Sequence, residues 1–246
     1  MTERVIDLRS DTLTMPTEEM LQAIQTAALG DDSRDGDPTV LELEALAAEM
    51  LGMEAALLTV SGTMSNVTAL RTHAEPGATA IVHERAHLFG AEFSGVAAVC
   101  GLLTFPVPGR LGALDLDALR YAVKKAGAGF PAPAVVCLEN THNGAGGAVI
   151  SPEHTDACCE IAHAAGLPVH LDGARIFNAS VKLGIDVREL TRSVDSVSVC
   201  LSKGLSAPVG SLLAGGREFI ARARAIRRAL GGAMRQAGII AAPGLI

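Results

Sequence analysis

The chain has 246 residues, 49% of them hydrophobic and 19% charged, with a formal net charge of −7. That much apolar material suits one large globular domain rather than a disordered chain, and the acidic balance argues against nucleic acid as the main partner. The longest apolar run, Val96–Val107, is too short to span a bilayer, and the chain opens without a charged-then-apolar leader, so a cytoplasmic protein with no membrane attachment is expected.

Taken in chain order, a helical pattern covers Thr17–Leu29 after Pro16, and a second covers Val40–Leu51. Ala55–Val60 is then the first of seven short β-branched runs bounded by Gly, Pro or Asp; the others are Thr79–His83, Val96–Val107, Ala134–Leu138, Pro168–Leu171, Ser196–Leu201 and Gly210–Ala214. Several are apolar throughout, as strands buried on both faces are. Helical periodicity at Asn66–Ala74, Leu116–Ala126, Glu153–Ala165 and Glu218–Leu230 separates most of them. Alternation of this kind predicts an α/β fold, a mainly parallel sheet with helices on both faces. Cys100, Cys137, Cys158, Cys159 and Cys200 form an odd set without C-x-x-C spacing and read as buried reduced thiols. Arg222–Arg228 reads as the solvated face of a helix.

Ligands of such sheets bind beyond the C-terminal ends of the strands, which directs attention to Ser61–Thr63, His83–His87, Glu139–His142, Asp172–Arg175 and Ser202–Gly204. The second of these contains His83-Glu84-Arg85-Ala86-His87, the H-E-x-x-H of zinc proteases. A zinc site needs both histidines on one helix, since i,i+4 spacing there turns two imidazoles to one metal. His83 instead ends a strand-like run, and Phe93 stands where the extended signature wants a third histidine. No metal is expected.

The remaining strand ends form a more coherent set. One buried strand delivers Asp172 with Arg175 just beyond it, and about one βαβ unit later another delivers Lys203. Upstream, Ser61-Gly62-Thr63 opens a helix whose free N–H groups and positive dipole end favour a phosphate. Pyridoxal phosphate needs such a set: an amine to bond, a carboxylate to keep the pyridine nitrogen protonated, and a phosphate cradle. Singly, each residue has a plainer reading as a surface lysine, a turn residue or a helix start.

The segments DLRSDT (7–12), GDDSRDGDPTV (30–40), SGTMSN (61–66), ENTHNGAGG (139–147), HLDGARIFNA (170–179), CLSKGLSAPVGSLL (200–213) and GGAMRQAG (231–238) together resemble the low-specificity L-threonine aldolases, fold-type-I pyridoxal-phosphate enzymes of the aromatic amino acid β-eliminating lyase/threonine aldolase family. The resemblance spans almost the whole chain. It implies residues 1–246 as a cofactor-binding large domain with a seven-stranded sheet and an N-terminal arm of about 1–38. It also implies a homotetramer, and a smaller C-terminal domain that the 246 residues do not include and that would supply a second arginine for the substrate carboxylate.

By the same resemblance, Lys203 is the Schiff-base lysine, Asp172 the partner of the pyridinium nitrogen, Gly62 and Thr63 the phosphate-binding turn, and His87 the ring stacked on the cofactor. Ser10 and Arg175 are expected on the substrate carboxylate, His142 near the substrate hydroxyl, and Arg235 near the phosphate of its own or a neighbouring subunit. His87 and His142 are the candidate bases; His83 matches no functional position. Arg34 and Asp35 stand where the family carries Tyr-Gly, altering a loop near the site. The expected reaction is retro-aldol cleavage of L-threonine or L-allo-threonine to glycine and acetaldehyde. The alternatives are a racemase or β-eliminating lyase on the same scaffold, or a chain that binds the cofactor without turnover.

Overall fold

A computed structural model describes residues 6–92, 95–125 and 131–246. Helices α1 (Glu18–Thr26) and α2 (Pro38–Leu51) precede strand β1 (Ala55–Thr59), and α3 (Gly62–His73) leads to β2 (Thr79–His83). Two four-residue helices, α4 (His87–Gly90) and α5 (Gly95–Ala98), come before β3 (Leu103–Val107) and a small hairpin, β4 (Gly109–Arg110) and β5 (Ala113–Leu114). Then follow α6 (Leu116–Ala122), β6 (Pro133–Glu139), α7 (Pro152–Ala164), β7 (Val169–Asp172), α8 (Ile176–Leu183), α9 (Val187–Thr191), β8 (Ser196–Cys200), β9 (Ser211–Gly215), α10 (Arg217–Ala229) and α11 (Gly238–Ala241).

Local chemistry starts and stops these helices. Thr17, Asp37, Ser61, Asp115 and Ser151 each cap an N-terminus through a side-chain oxygen. Pro38 and Pro152 open α2 and α7, and Gly52 ends α2 in the left-handed conformation at φ 65°.

The sheet has seven strands in the order β1-β9-β8-β7-β6-β2-β3. All neighbours are parallel except β9, which runs antiparallel to both β1 and β8. Strands β1, β2, β7, β8 and β9 are buried on both faces, as the apolar runs predict, whereas the edge strand β3 is only partly buried. In β1, Leu57 joins a cluster with Phe219 and Ile220 of α10, while its neighbours Ala56 and Leu58 join the cluster of α2, α7 and α9 on the other face. Pro106 is tolerated in β3 because that strand is an edge, paired only with β2.

Three expectations need correction. Val96–Val107 is not one strand: its front belongs to α5, and the chain turns at Gly101, φ 67°, before β3 begins. The helix expected over Leu116–Ala126 ends at Ala122, and Ala126 lies outside the described residues. Finally, α10 is not uniformly solvated, since Arg227 is 2% exposed and ion-paired to Asp32. All five cysteines are free and buried; burial pushes the Cys100 thiol up to about 11 and those of Cys158 and Cys159 to about 12, where they are unreactive. No helix among the described residues is long and apolar enough to cross a membrane.

Candidate active site

Parallel pairing places Glu139 at the end of β6 opposite Asp172 at the end of β7, and Asp172 opposite Ser198 on β8. Several strand-end residues therefore meet at one sheet edge. Asp172 is 4% exposed. Its Oδ1 accepts the Ala174 N–H at 3.1 Å and its Oδ2 accepts the Asn66 amide at 2.9 Å. Both oxygens are thus held by donors.

His87 opens α4 beside it. Its backbone N–H donates to Glu139 Oε2 at 2.7 Å, and its Nδ1 lies 3.2 Å from Glu92 Oε1. The bond to Glu92 raises the His87 pKa, against a smaller opposing effect of burial. Glu92 Oε1 also accepts from Asn66 at 2.9 Å, so it acts as an acceptor; Nδ1 of His87 then carries the proton and Nε2 is the basic nitrogen.

His83 closes β2 rather than sharing a helix with His87, so the zinc-protease geometry does not form. Its ring instead meets that of His142 edge to face, centroids 4.5 Å apart. Among the described residues, His87, Glu92 and Asp172 can bring ligand atoms within 4.8 Å of one another, and Asn66 already bridges the two carboxylates.

Lys203 follows β8, in a turn whose carbonyl accepts the Thr14 hydroxyl at 2.7 Å. That bond lays the N-terminal segment against the lysine. The Cys200 thiol feels both the Lys203 and the Asp172 charge, although burial dominates and raises its pKa. Arg175 makes a two-pronged pair with Asp11, Nε–Oδ2 2.6 Å and Nη2–Oδ1 2.7 Å. That pair holds the Asp11 carboxyl below its usual range, with a further contribution from Lys203. Gly62 begins α3 where an added Cβ would come within 2.6 Å of Cys200 Sγ; only glycine lets β8 approach the helix start so closely. Thr63 is the next residue of that first turn and is exposed.

The structure thus gathers Lys203, Asp172, Arg175, His87 and the Gly62–Thr63 turn around one edge. Ser10 is exposed on the adjoining segment, where its Oγ accepts the Thr12 N–H at 3.2 Å. The His142 Nε2 lies 3.9 Å from Glu139 Oε2, beyond hydrogen-bond range. His142 is fully buried, with neither ring nitrogen hydrogen-bonded, and it packs beneath Gly112 of the hairpin turn, where an added Cβ would fall 2.4 Å from it. Arg235 is exposed and donates to Ser33 Oγ at 2.6 Å, bracing the 31–36 loop that carries Arg34 and Asp35. Sequence reasoning assigned no role to Asp11, Asn66, Glu92 or Glu139. Asp11, Asn66 and Glu139 lie inside segments it singled out, but pairing across 164, 106 and 52 residues has no local signature.

Burial sets the acid response of this region. It pushes His142 and His73 down to about 4 and His170 to about 3, with neighbouring charges secondary, whereas burial and the Asp172 charge push Glu139 up to about 7. Between those values and 6.5 the unfolded chain binds histidine protons that the folded chain does not, so the histidines lose stability as pH falls below 6.5. Glu139 has the opposite sign, since its neutral form is favoured in the fold and its cost fades as pH falls from 7 towards 4.5. Each histidine tilts the balance by up to about 1.4 kcal/mol per pH unit, and three outweigh one glutamate. Urea unfolding is therefore expected to give a lower stability at pH 5.5 than at pH 7.5; equal or higher stability at pH 5.5 would show these rings to be solvated.

The chain is similar to known proteins along almost its whole length. Residues 7–246 match the profile of the family described as beta-eliminating lyase. The chain is 42% identical over 250 residues to low-specificity L-threonine aldolase 1 of Arabidopsis thaliana, covering 100% of this chain and 70% of that protein. It is 43% identical over 242 residues to the low specificity L-threonine aldolase of Escherichia coli O157:H7, covering 98% and 72%. A solved structure from Listeria monocytogenes, assigned as an L-allo-threonine aldolase, superposes with a TM-score of 0.79 at 25% identity and is covered over 62% of its length. The threonine aldolase of Leishmania major shares the fold, TM-score 0.83 at 17% identity, with 96% of this chain and 70% of that one covered. Whole-chain identity above 40%, a family profile matched from residue 7 to the last residue and the lysine-bearing edge of a mostly parallel sheet leave one assignment: the chain belongs to the beta-eliminating lyase family.

Proposed function

We propose that the chain binds pyridoxal phosphate at this edge and cleaves β-hydroxy-α-amino acids, L-threonine among them, to glycine and an aldehyde. The observation that carries the reading is the buried, doubly held Asp172 carboxylate at the same edge as Lys203 and Arg175. The residues fit the group. A buried carboxylate with both oxygens held by donors suits a protonated pyridine nitrogen, the start of the twelve-residue α3 at Gly62 and Thr63 suits a phosphate, and Lys203 supplies the amine. When bound, pyridoxal phosphate supplies a conjugated ring that takes up the electron pair released at the substrate's Cα.

The chain's own groups do the rest. Lys203 anchors the cofactor and yields its place to the substrate amine. Arg175 takes the substrate carboxylate in the fork that Asp11 occupies here, and Ser10 on the adjoining segment assists. Asp172, fixed by the Ala174 N–H and the Asn66 amide, would hold the ring nitrogen of the bound cofactor. His87 Nε2 takes the proton of the β-hydroxyl; of the two candidate histidines it is the partly exposed one, whereas His142 is sealed beneath the hairpin. Arg235 is assigned to the phosphate of a neighbouring copy in a homo-oligomer.

The test is the visible absorption of the purified chain with pyridoxal phosphate, followed by L-threonine and an aldehyde assay. A new band and acetaldehyde release are expected. A band with alanine racemisation in place of aldehyde would move the reaction to a racemase, and no band from a folded chain would remove the cofactor reading.

A further inference from the structure

The layer between α3 and the sheet is apolar at its flanks and polar along its middle. In β7, Val169 and Leu171 join the core on the far face, while His170 and Asp172 bond to groups beside α3. In β8, Val197 and Val199 likewise join the far core, while Ser196 and Ser198 bond to the α3 side. The polar members are almost wholly buried: Asn66 is 2% exposed, Ser198 1%, and His170 and Ser196 0%. Burying such groups is costly unless every donor and acceptor is matched.

Here they match in one way only. The Asn66 amide nitrogen faces two carboxylate oxygens, Asp172 Oδ2 and Glu92 Oε1, each at 2.9 Å, and both of its hydrogens are used. Its carbonyl oxygen accepts the Ser198 hydroxyl at 2.7 Å and faces His170 Nε2 at 3.1 Å. Nε2 must therefore carry the His170 proton, which leaves Nδ1 bare to accept from Ser196 Oγ at 2.9 Å. With its hydrogen committed, Ser196 accepts from His73 Nε2 at 2.7 Å. Every donor in the line His73–Ser196–His170–Asn66 points towards Asp172. Bonds aligned in this way polarise one another in a low-dielectric interior.

We propose that Asn66 is a positioning residue of the site: its amide, oriented by Ser198 and by the His73–Ser196–His170 relay, donates to Asp172 and Glu92 at once and holds the two carboxylates aimed. The aim of Asp172 at a cofactor nitrogen rests on the pyridoxal reading above; the relay itself does not. Asn66 also keeps Glu92 on His87, so one side chain serves both the electron sink and the base.

Two measurements on the 246-residue chain test this. In cofactor-free, 15N-labelled protein, long-range 1H–15N NMR, assigned with His170→Asn, is expected to show His170 protonated at Nε2 and bare at Nδ1. Asn66→Asp keeps the shape and the acceptor facing His170 but leaves at most one donor, a carboxyl proton, where Asn66 has two. It should retain the His170 tautomer yet weaken pyridoxal phosphate binding by roughly tenfold to a hundredfold, the range for lost hydrogen bonds to charged groups. Asn66→Ala should lose both the affinity and the tautomer. Ser198→Ala, a milder change should Asn66 variants fold poorly, should cost a few fold in affinity. A proton on His170 Nδ1 in the wild type would overturn the relay, and cofactor binding undiminished in Asn66→Asp would overturn the positioning role. A wild type that binds no cofactor would sink the pyridoxal reading, while the His170 tautomer would still decide the relay.

Discussion

Lys203→Ala is expected to abolish the cofactor's lysine-dependent absorption band and to lower aldehyde release from L-threonine by about a thousandfold or more, the scale on which loss of a covalent catalytic group acts. No other lysine can substitute. Lys125 sits over the rings of Phe105 and Tyr121, Lys124 is on the same segment, and Lys182 is exposed near the end of α8. Lys203 alone follows a parallel strand into the edge where Asp172 and Arg175 lie. The substitution should leave the fold intact, because the side chain is half-exposed and its segment is held through the Lys203 carbonyl, which alanine retains. Absorption spectra, aldehyde assay and a thermal melt on the same sample decide the matter. A variant that keeps the band, or turns over at more than a few percent of the wild-type rate, would place the chemistry elsewhere.

Asp32→Ala should be the most destabilising single change near the N-terminal loop. The side chains of Asp32 and Arg227 are each 2% exposed and meet at 2.6 Å, and Arg227 also donates to the Leu58 carbonyl at 2.8 Å. Arg224 lies 3.8 Å from Asp32 and donates to Glu44 at 2.7 Å, while Glu44 accepts the Leu58 N–H at 2.8 Å. This network ties the 31–36 loop, α2, β1 and α10 together across 195 residues. Removing Asp32 strands a buried guanidinium, at a cost of about 3–5 kcal/mol. Asp32→Ala combined with Arg227→Met should recover most of that loss, since no buried charge remains unpaired. Urea unfolding of the wild type, the single variant and the double variant checks both statements; a loss below about 1 kcal/mol in the single variant would mean that water reaches the pair.

The gap between what was legible and what was not follows element by element. Lys203, Asp172, Arg175 and the Gly62 turn could be placed at one edge from the sequence because a parallel strand delivers its last residue to a known end of the sheet. His87 and His142 could be listed as candidate bases, but that the hairpin buries one of them shows only in the tertiary structure. Arg235 was expected at a phosphate, and in the single chain it braces a loop through Ser33. The Arg222–Arg228 run looked solvated because charge alone does not reveal that Arg227 faces inward to a carboxylate almost the whole chain away.

Composition and short-range pattern by themselves determined the α/β class, six of the seven strands of the sheet, most of the longer helices and the strand-end positions of the candidate site residues, because each depends on residues within a few turns of one another. The tertiary structure alone decided which side chains meet. Asp11 on Arg175, Asn66 between Asp172 and Glu92, Glu139 on the His87 backbone and Arg227 on Asp32 are contacts between distant segments. Their hydrogen-bond partners and burial, and with them the shifted pKa values of Glu139 and the buried histidines, exist only once the sheet has brought those segments together.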